Sequence, residues 1–400
     1  MKDILFYFVV IAYVTAGYGE NSAPDQCQAL SPLSQCPMDI PSMKLLKKLY
    51  EESPDKNVII SPIGVFTLLS LYASGSEKQS RDEVMQLLGF NYFTQLLDCY
   101  SGLSEMFSFM NQKYIILANK VLVSDKYTIN DGFSYTTSLY KSEVDKKNFE
   151  NQTAAAEAIN KWSSEKTNGI INEPVSASDI DADMAVALFN VIFLKDKWHV
   201  PFSVANTKDQ DFYVDRSTVV KRPMMHLKHP LYYYDDKNMG AKMVMLPYKG
   251  TGFRMVIVLP NEMDGLPQVL EKFSETRLMD SVNKMRPQGD KVYLYMPKFE
   301  FKTKIELNDI LPKVGVTSIF EQGSSGVVKE RTVSVSKALQ QTFIKVDEEG
   351  STAGAFTGFL FMPTSLENPK SEPIPFKAHH PFLYVILQND FVLFAGTYTH

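Results

Sequence analysis

Hydrophobic positions recur at helical spacing in the first half of the chain. Met43, Leu46, Leu49 and Tyr50 lie on one helical face and predict a helix that begins near Asp39. The same spacing, bounded by capping and turn residues, predicts further helices over Ser61–Gly75, 80–88 and Thr153–Glu165. The first half is therefore predicted to be mainly helical.

The second half has the pattern of strands. Met184–Leu194 is a continuous apolar run, which predicts a strand buried on both faces. Lys298–Leu307 alternates between apolar and charged residues and predicts a half-exposed strand. Further strands are predicted at Met243–Leu246 and Phe253–Leu259, and a hairpin at Phe382–Leu387 and Phe391–Ala395. Helices early and strands late favour an α+β fold.

The N-terminal end differs from the rest of the 400 residues. Residues 1–19 combine a short basic start, an apolar run and small residues, which is typical of a secretion signal, with a membrane anchor as the alternative. Residues 20–38 form a polar extension, and residues 39–400 contain no Gly/Ser/Pro linker that would divide them. We expect a secreted, extracellular, monomeric protein with one folded unit.

Charge and cysteine content narrow the picture further. A net charge of −5 gives no basis for binding nucleic acid or a membrane. Three cysteines are too few for a disulfide scaffold. Cys27 and Cys36 can close a small loop that leaves Cys99 free, but pairing with Cys99 or another chain, or no disulfide at all, stays open. Asn151 begins an N-x-T sequon and is a candidate glycosylation site.

Catalytic motifs are missing from the sequence. It contains no G-x-S-x-G, Walker, G-x-G-x-x-G or H-E-x-x-H pattern. His226 and His229 have the spacing of a metal pair but lack a third ligand nearby. We therefore expect no enzyme activity, no metal and no cofactor.

One segment departs from the globular pattern, the run of small residues from Glu348 to Gly358. The simplest interpretation of this segment is a long flexible loop. As an extended strand, it would place Ser351, Ala353, Ala355 and Thr357 on one face, all of them small. An exposed strand with such a face is suited to insertion into an existing sheet.

Several motifs, in order along residues 39–398, resemble those of the serpins. The resemblance is carried by Asn57–Ile63, Phe189–Trp198, Leu246–Gly250, Met296–Phe299, Val346–Thr357, His380–Leu383 and Leu393–Gly396. It implies the serpin fold, in which helices surround three β-sheets and a reactive-centre loop, here about 348–375, is exposed. It also implies a suicide-substrate inhibitor that traps a serine protease when the cleaved loop inserts into the main sheet. The alternative is a non-inhibitory serpin that acts as a carrier, chaperone or storage protein.

The resemblance also implies roles for individual residues. The hinge of the loop corresponds to Glu348, Gly350, Ser351, Thr352, Ala353, Ala355 and Thr357. The region where the sheet opens corresponds to Ser61, Asn190, Trp198, Lys298 and Gln340, with a predicted Lys298–Glu348 ion pair beside Trp198. Two residues depart from the family pattern: Gly64 stands where serine is common, and Gln340 where histidine is common. Asn91–Gln112 contains no Lys or Arg, so heparin activation through this stretch is not expected.

The position of the cleaved bond follows from the usual hinge length. Counting from Gly350 places it at Thr364-Ser365, and a threonine there favours an elastase-like protease. The loop is longer than usual after this point, so Phe361 and Lys370 remain alternatives, suited to chymotrypsin-like and trypsin-like proteases respectively.

Overall fold

A computed structural model describes residues 36–110, 114–249, 251–288, 292–321, 323–351 and 373–400. The expected secretion signal, most of the polar extension and the central part of the reactive-centre loop lie outside these residues. The helices in the described part are α1 Asp39–Glu52, α2 Pro62–Ser74, α3 Lys78–Leu88, α4 Phe93–Met110, α5 Asp131–Leu139, α6 Gln152–Lys166, α7 Leu266–Glu275, α8 Leu278–Val282, α9 Leu307–Ile310 and α10 Ser318–Glu321. None of these helices is long and apolar enough to cross a membrane.

Strands dominate the second half, as the sequence pattern predicts. They are β1 Val58–Ile60, β2 Ile115–Ser124, β3 Glu143–Lys147, β4 Val186–Leu194, β5 Asp196–Lys197, β6 Lys208–Tyr213, β7 Val219–His229, β8 Tyr232–Asp236, β9 Ala241–Pro247, β10 Phe253–Pro260, β11 Arg286–Pro287, β12 Val292–Pro297, β13 Phe299–Glu306, β14 Val335–Val346, β15 Gly350–Ser351, β16 Ile374–Lys377, β17 Phe382–Gln388 and β18 Phe391–Tyr398. Together with the helices they confirm the α+β class.

Three sheets organise the strands of the described residues. One runs in the order β1-β18-β17-β10-β9-β8-β11, and a smaller one in the order β16-β12-β7-β6. The third runs β3-β2-β4-β14-β15-β5, with β13 paired to the free side of β14. Three sheets surrounded by helices agree with the expected architecture.

Burial explains why the sequence pattern located these elements. α2 is apolar on nearly all sides because it lies inside the core, and every residue of β4, β17 and β18 is buried. β13 alternates as predicted, with Phe299 and Ile305 buried and Glu300 exposed. α3 ends where Gly89 adopts a left-handed conformation, φ 74°, which glycine reaches without steric cost.

One disulfide links the N-terminal segment to the helical half. Cys36, just before α1, is bonded to Cys99 in α4 across 63 positions of sequence. The pairing therefore differs from the Cys27–Cys36 loop and matches the alternative in which Cys99 takes part.

The feature that matters most for function is the boundary between β4 and β14, called here the β4–β14 seam. These two strands are direct neighbours and run parallel, with Gln340 opposite Asn190 and Phe343 opposite Phe193. A strand placed between two parallel strands can be antiparallel to both, and antiparallel pairing is the more stable arrangement per residue. The seam is thus a position where the sheet could accept one more strand.

Candidate functional site

A short strand, β15, lies at the end of the β4–β14 seam near Val346 and Asp196, called here the top of the seam. Ser351 of β15 pairs antiparallel with Val346 of β14 and with Asp196 of β5. Gly350 lies against the backbone of β5 so closely that a Cβ atom would overlap the Asp196 carbonyl oxygen and the Lys197 Cα. Only glycine fits this position without a shift of β5.

Ser351 is held in a buried polar contact. Its side chain is 0% exposed, and its hydroxyl shares a 2.6 Å hydrogen bond with the hydroxyl of Tyr248. The Tyr248 ring stacks on Trp198 at 4.5 Å, and the Trp198 indole N–H donates to the Asp347 carbonyl at 2.8 Å. The two rings therefore hold the chain at Asp347 and at Ser351, on both sides of Glu348–Gly350.

The predicted ion pair forms beside these rings. Lys298 Nζ lies 2.8 Å from Glu348 Oε2, and the Thr207 hydroxyl donates to Glu348 Oε1 at 2.8 Å. Burial acts to raise the pKa of Glu348, but the hydrogen bonds from Lys298 and Thr207 outweigh it, so the pKa of this carboxyl is lowered. Glu348 is consequently a charged anchor in the connection between β14 and β15.

A hydrogen-bonded network crosses the middle of the seam on its inner face, toward α2. Gln340 is 0% exposed; its Oε1 accepts from the Ser61 N–H at 2.7 Å and its Nε2 donates to the Ser61 carbonyl at 2.9 Å. The same Nε2 donates to Asn190 Oδ1 at 2.7 Å, which joins β14 to β4. Asn190 then donates to Asn119 Oδ1 of β2 at 2.7 Å. Both N–H groups of the Gln340 amide donate, and its oxygen accepts one hydrogen bond.

Both departures from the family pattern are accommodated in this network. Gln340 binds the N–H and C=O of one residue, Ser61, which an amide can do with its adjacent oxygen and nitrogen. At Gly64, an added Cβ would overlap the Asn190 amide, so the glycine makes room for that side chain. Ser61 stands at the start of α2, but its hydroxyl donates to the Leu393 carbonyl at 2.8 Å instead of capping the helix.

The structure brings together the predicted residues that it describes. Glu348, Gly350, Ser351, Trp198 and Lys298 meet at the top of the seam, and Ser61, Asn190 and Gln340 meet at its middle. Asn151 is exposed before α6, where its Oδ1 accepts from the Ala154 N–H at 3.1 Å. The other predicted site residues lie outside the described part of the chain: Thr352, Ala353, Ala355, Thr357, Phe361, Thr364, Ser365 and Lys370.

Sequence reasoning missed several polar partners of the site. Tyr248 lies in a motif that resembles the family, but its contact with Ser351 spans 103 positions. Thr207 and Asn119 carry no local signal, since a single threonine or asparagine is common in any sequence. Among the described residues, no group of three or more His, Cys, Asp or Glu side chains is placed to hold a metal.

Comparisons with known proteins agree with this geometry. Residues 41–400 match the family model described as "Serpin (serine protease inhibitor)". Antichymotrypsin-2 of Bombyx mori is 28% identical over 89% of this chain and 95% of its own, and Iripin-2 of Ixodes ricinus is 29% identical over 88% of this chain and 90% of its own.

Structural similarity leads to the same family. The crystal structure of Serpin48 from Tenebrio molitor aligns with a TM-score of 0.80 and 27% identity, over 94% of this chain and 100% of that one. The family match over residues 41–400 covers both strands of the β4–β14 seam, the predicted hinge residues Glu348–Ser351 and the three sheets. With its fold, its seam and its sequence in agreement, the chain belongs to the serpin family.

Proposed function

We propose that this protein is a suicide-substrate inhibitor of serine proteases, which traps the acyl-enzyme by inserting its cleaved reactive-centre loop into the β4–β14 seam. The observation that carries the proposal is the position of Gly350–Ser351, which lie antiparallel to β14 and to β5. This direction is the one that an inserted strand needs in order to pair with both β14 and β4. The similarity to proteins named antichymotrypsin, antitrypsin and serine protease inhibitor supports a serine protease as the partner.

The strand register at the top of the seam predicts which residues of the inserted loop would meet the Gln340–Asn190 hydrogen bond. Six positions separate Ser351 from Thr357, Val346 from Gln340 and Asp196 from Asn190. A strand that continued the Ser351 register would therefore bring Thr357 between Gln340 and Asn190. Because these two residues face each other across the seam, the threonine hydroxyl could accept from Gln340 and donate to Asn190. The hydrogen bond broken by opening would be replaced.

Backbone pairing provides the driving force. Insertion of about a dozen residues would add about ten backbone hydrogen bonds, each worth about 0.5–1.5 kcal/mol net. The resulting gain of roughly 5–15 kcal/mol is comparable with the stability of a whole domain. We infer that such a gain is sufficient to translocate and distort a covalently attached protease before the acyl-enzyme is hydrolysed.

The residues of the loop beyond the hinge determine which protease is inhibited. We propose cleavage at Thr364-Ser365 by an elastase-like enzyme, with Phe361 and Lys370 as the alternative sites. We further propose that the protein is secreted, is glycosylated at Asn151 and acts as a monomer. The Asn151 amide nitrogen is compatible with glycosylation, since the helix cap uses only the oxygen.

The test is incubation with elastase-, chymotrypsin- and trypsin-like proteases. We expect a complex that survives boiling in detergent with at least one of them, and a mass spectrum of the released loop fragment that identifies the cut. Ala353→Arg should be cleaved without complex formation, because its charge would have to be buried on the inner face of the sheet. Glu372→Arg, on the side of the cut that does not insert, is the matched control and should still form the complex.

Two results would contradict the proposal. One is the absence of a stable complex with every protease of the panel, and the other is a cleaved protein that melts at the same temperature as the intact one. The second result would favour the non-inhibitory carrier, chaperone or storage role.

A further inference from the structure

The outer face of the β4–β14 seam is covered by α6 and the segment that follows it. Apolar residues of α6, among them Ile159 and Trp162, pack with residues of β2 and β4. Leu339 and Phe343 of β14 belong to the same group of packed apolar side chains, so the covering layer extends across the seam. A strand entering the seam must therefore pass beneath this layer.

The segment after α6 is joined to the helix by side-chain hydrogen bonds. Asn160 donates to the Val175 carbonyl at 2.7 Å and accepts from the Val175 N–H at 3.1 Å. Gln152 donates to the Ile180 carbonyl at 2.6 Å. Near the end of the helix, the Ser163 hydroxyl donates to the Ile171 carbonyl at 2.8 Å. These bonds connect the start, the middle and the last turn of the helix to the segment, so α6 and residues 170–180 form one body.

This body is fastened to the far side of the seam by an ion cluster of Asp179, Lys304, Glu306 and Lys337, called here the Asp179 cluster. Asp179 Oδ2 lies 2.7 Å from Lys304 Nζ of β13, and Asp179 Oδ1 lies 3.9 Å from Lys337 Nζ of β14. Lys337 in turn lies 2.7 Å from Glu306. The Asp179 and Lys337 side chains are only 16% and 18% exposed, so solvent screens their charges less than those of a fully exposed pair.

The Asp179 cluster thus holds the body to β13 and β14, whereas most of the strand residues in the apolar layer beneath α6 belong to β2 and β4. Neighbouring strands lie about 4.7–4.9 Å apart, and an inserted strand would separate β4 from β14 by about that distance. An ion pair with a 2.7 Å contact cannot follow such a movement, so either the cluster or the packing of α6 on β2 and β4 must give way. The packing involves several fully buried apolar side chains, whereas ion pairs near the surface are weak, so the cluster is the attachment that yields.

We propose that Asp179 is a positioning residue that sets the rate of loop insertion by holding the α6 body to β13 and β14. The proposal rests on the proposed inhibitory function. Insertion competes with hydrolysis of the acyl-enzyme, so its rate decides how many inhibitor molecules are consumed for each protease trapped. Release of the Asp179 cluster should favour trapping. If the uncleaved loop can enter the same seam on warming, release should also speed that loss of inhibitory activity.

The experiment compares Asp179→Asn with Asp181→Asn in the full-length protein. Asparagine keeps the shape of the side chain and can still accept the Ser176 hydrogen bonds, but removes the charge. Asp181 is exposed directly after this segment and is the matched control. Two quantities are measured on each sample: the stoichiometry of inhibition, and the rate at which inhibitory activity is lost on warming.

For Asp179→Asn we expect the inactivation rate to rise about threefold to tenfold, as for the loss of one partly buried ion pair. The stoichiometry should move toward one, and Asp181→Asn should behave as wild type. Lys337→Met, which removes the charge from the opposite side, should reproduce the effect. High salt should speed the inactivation of wild type but not of Asp179→Asn.

The outcomes separate this inference from the proposed function. If wild type forms no complex and gains no heat stability on loop cleavage, the proposed function is wrong. If wild type inhibits, but Asp179→Asn and Lys337→Met match Asp181→Asn in both quantities, only the role of Asp179 is contradicted.

Discussion

Two buried strand pairs of this protein are built in opposite ways. β17 and β18 pair antiparallel, every residue is buried, and neither strand contains Asp, Glu, Lys, Arg or His. β4 and β14 are almost as well buried, yet they pair in parallel and place Asn190, Gln340 and Thr342 in the interior. Both pairs share a backbone ladder, but the seam adds a hydrogen bond between two buried polar side chains, Gln340 and Asn190, where the hairpin has mainly apolar side chains.

This difference indicates how one fold can be rigid in one place and open in another. Separating the hairpin would expose apolar surface, which no incoming group could replace equally well. Separating the seam breaks the backbone ladder between β4 and β14, the Ala185 N–H to Ser336 Oγ hydrogen bond and the Gln340–Asn190 hydrogen bond. An incoming strand can replace the ladder with one on each side, and an incoming hydroxyl can restore both halves of the Gln340–Asn190 bond. Polar residues in the core thus mark the place where the sheet is expected to open.

The largest effect is expected from a cavity in the hairpin. Ile386 is 0% exposed, and Ile386→Ala should cost about 2–5 kcal/mol of stability. Because the hairpin takes no part in insertion, the melting temperature should fall by similar amounts in the intact and the loop-cleaved protein. Calorimetry on both forms measures this, and a cleaved form that is spared would contradict the contrast between the two regions.

A substitution at the seam is expected to have a smaller effect on stability, and only in the loop-cleaved protein. Thr357→Val keeps the shape of the side chain but removes the hydroxyl, which would leave Gln340 and Asn190 without their replacement partner after insertion. The cleaved protein should lose about 1–3 kcal/mol, and the intact protein should be unchanged. The control is Thr352→Val, which would face the opposite side of the inserted strand. Equal losses in the two variants would refute the register that places Thr357 at this network.

The smallest effect is expected on acidification. Burial acts to raise the pKa of Asp179, but hydrogen bonds from Lys304 and Ser176 lower it from 3.8 to about 2. The pKa of Glu348 is likewise lowered from 4.5. A lowered pKa stabilises the folded state above the unfolded value, and this contribution is lost as the pH falls through the folded value.

The seam should therefore loosen between about pH 4.5 and pH 2, whereas the strands β17 and β18 contain no carboxylate to protonate. Hydrogen exchange at β14 should accelerate in this window relative to β18. The double variant Asp179→Asn, Glu348→Gln should show a flatter pH profile, and a wild-type profile in this variant would count against the assignment.

Local pattern was sufficient for most of the fold. The helix ending at Gly89, the buried run Val186–Leu194 and the alternating β13 are all encoded within a dozen residues, so their periodicity is visible in the sequence. The pairing of Cys36 with Cys99 could not be predicted from spacing, because loop closure favours the nearer pair, Cys27 and Cys36, and only the tertiary fold brings Cys36 to α4.

The candidate site was predicted only where a family motif covered it. Glu348 and Lys298 lie 50 positions apart, and their ion pair followed from the resemblance, not from spacing. Asp179 lies 125 positions from Lys304 in a stretch with no motif, so its cluster could not be predicted. The two hydrogen bonds between the Gln340 amide and the Ser61 backbone could not be predicted either, since the two residues lie 279 positions apart.

The close packing of Gly350 against β5 has a practical consequence for protein engineering. With the root of the loop fixed by backbone contacts, residues beyond Gly358 can be exchanged for the recognition sequence of another protease without moving the starting point of insertion. Gly350 then marks a fixed starting point, and the number of residues between it and the cleaved bond determines how far the trapped protease is moved. A retargeted inhibitor should therefore be designed by length first and by sequence second.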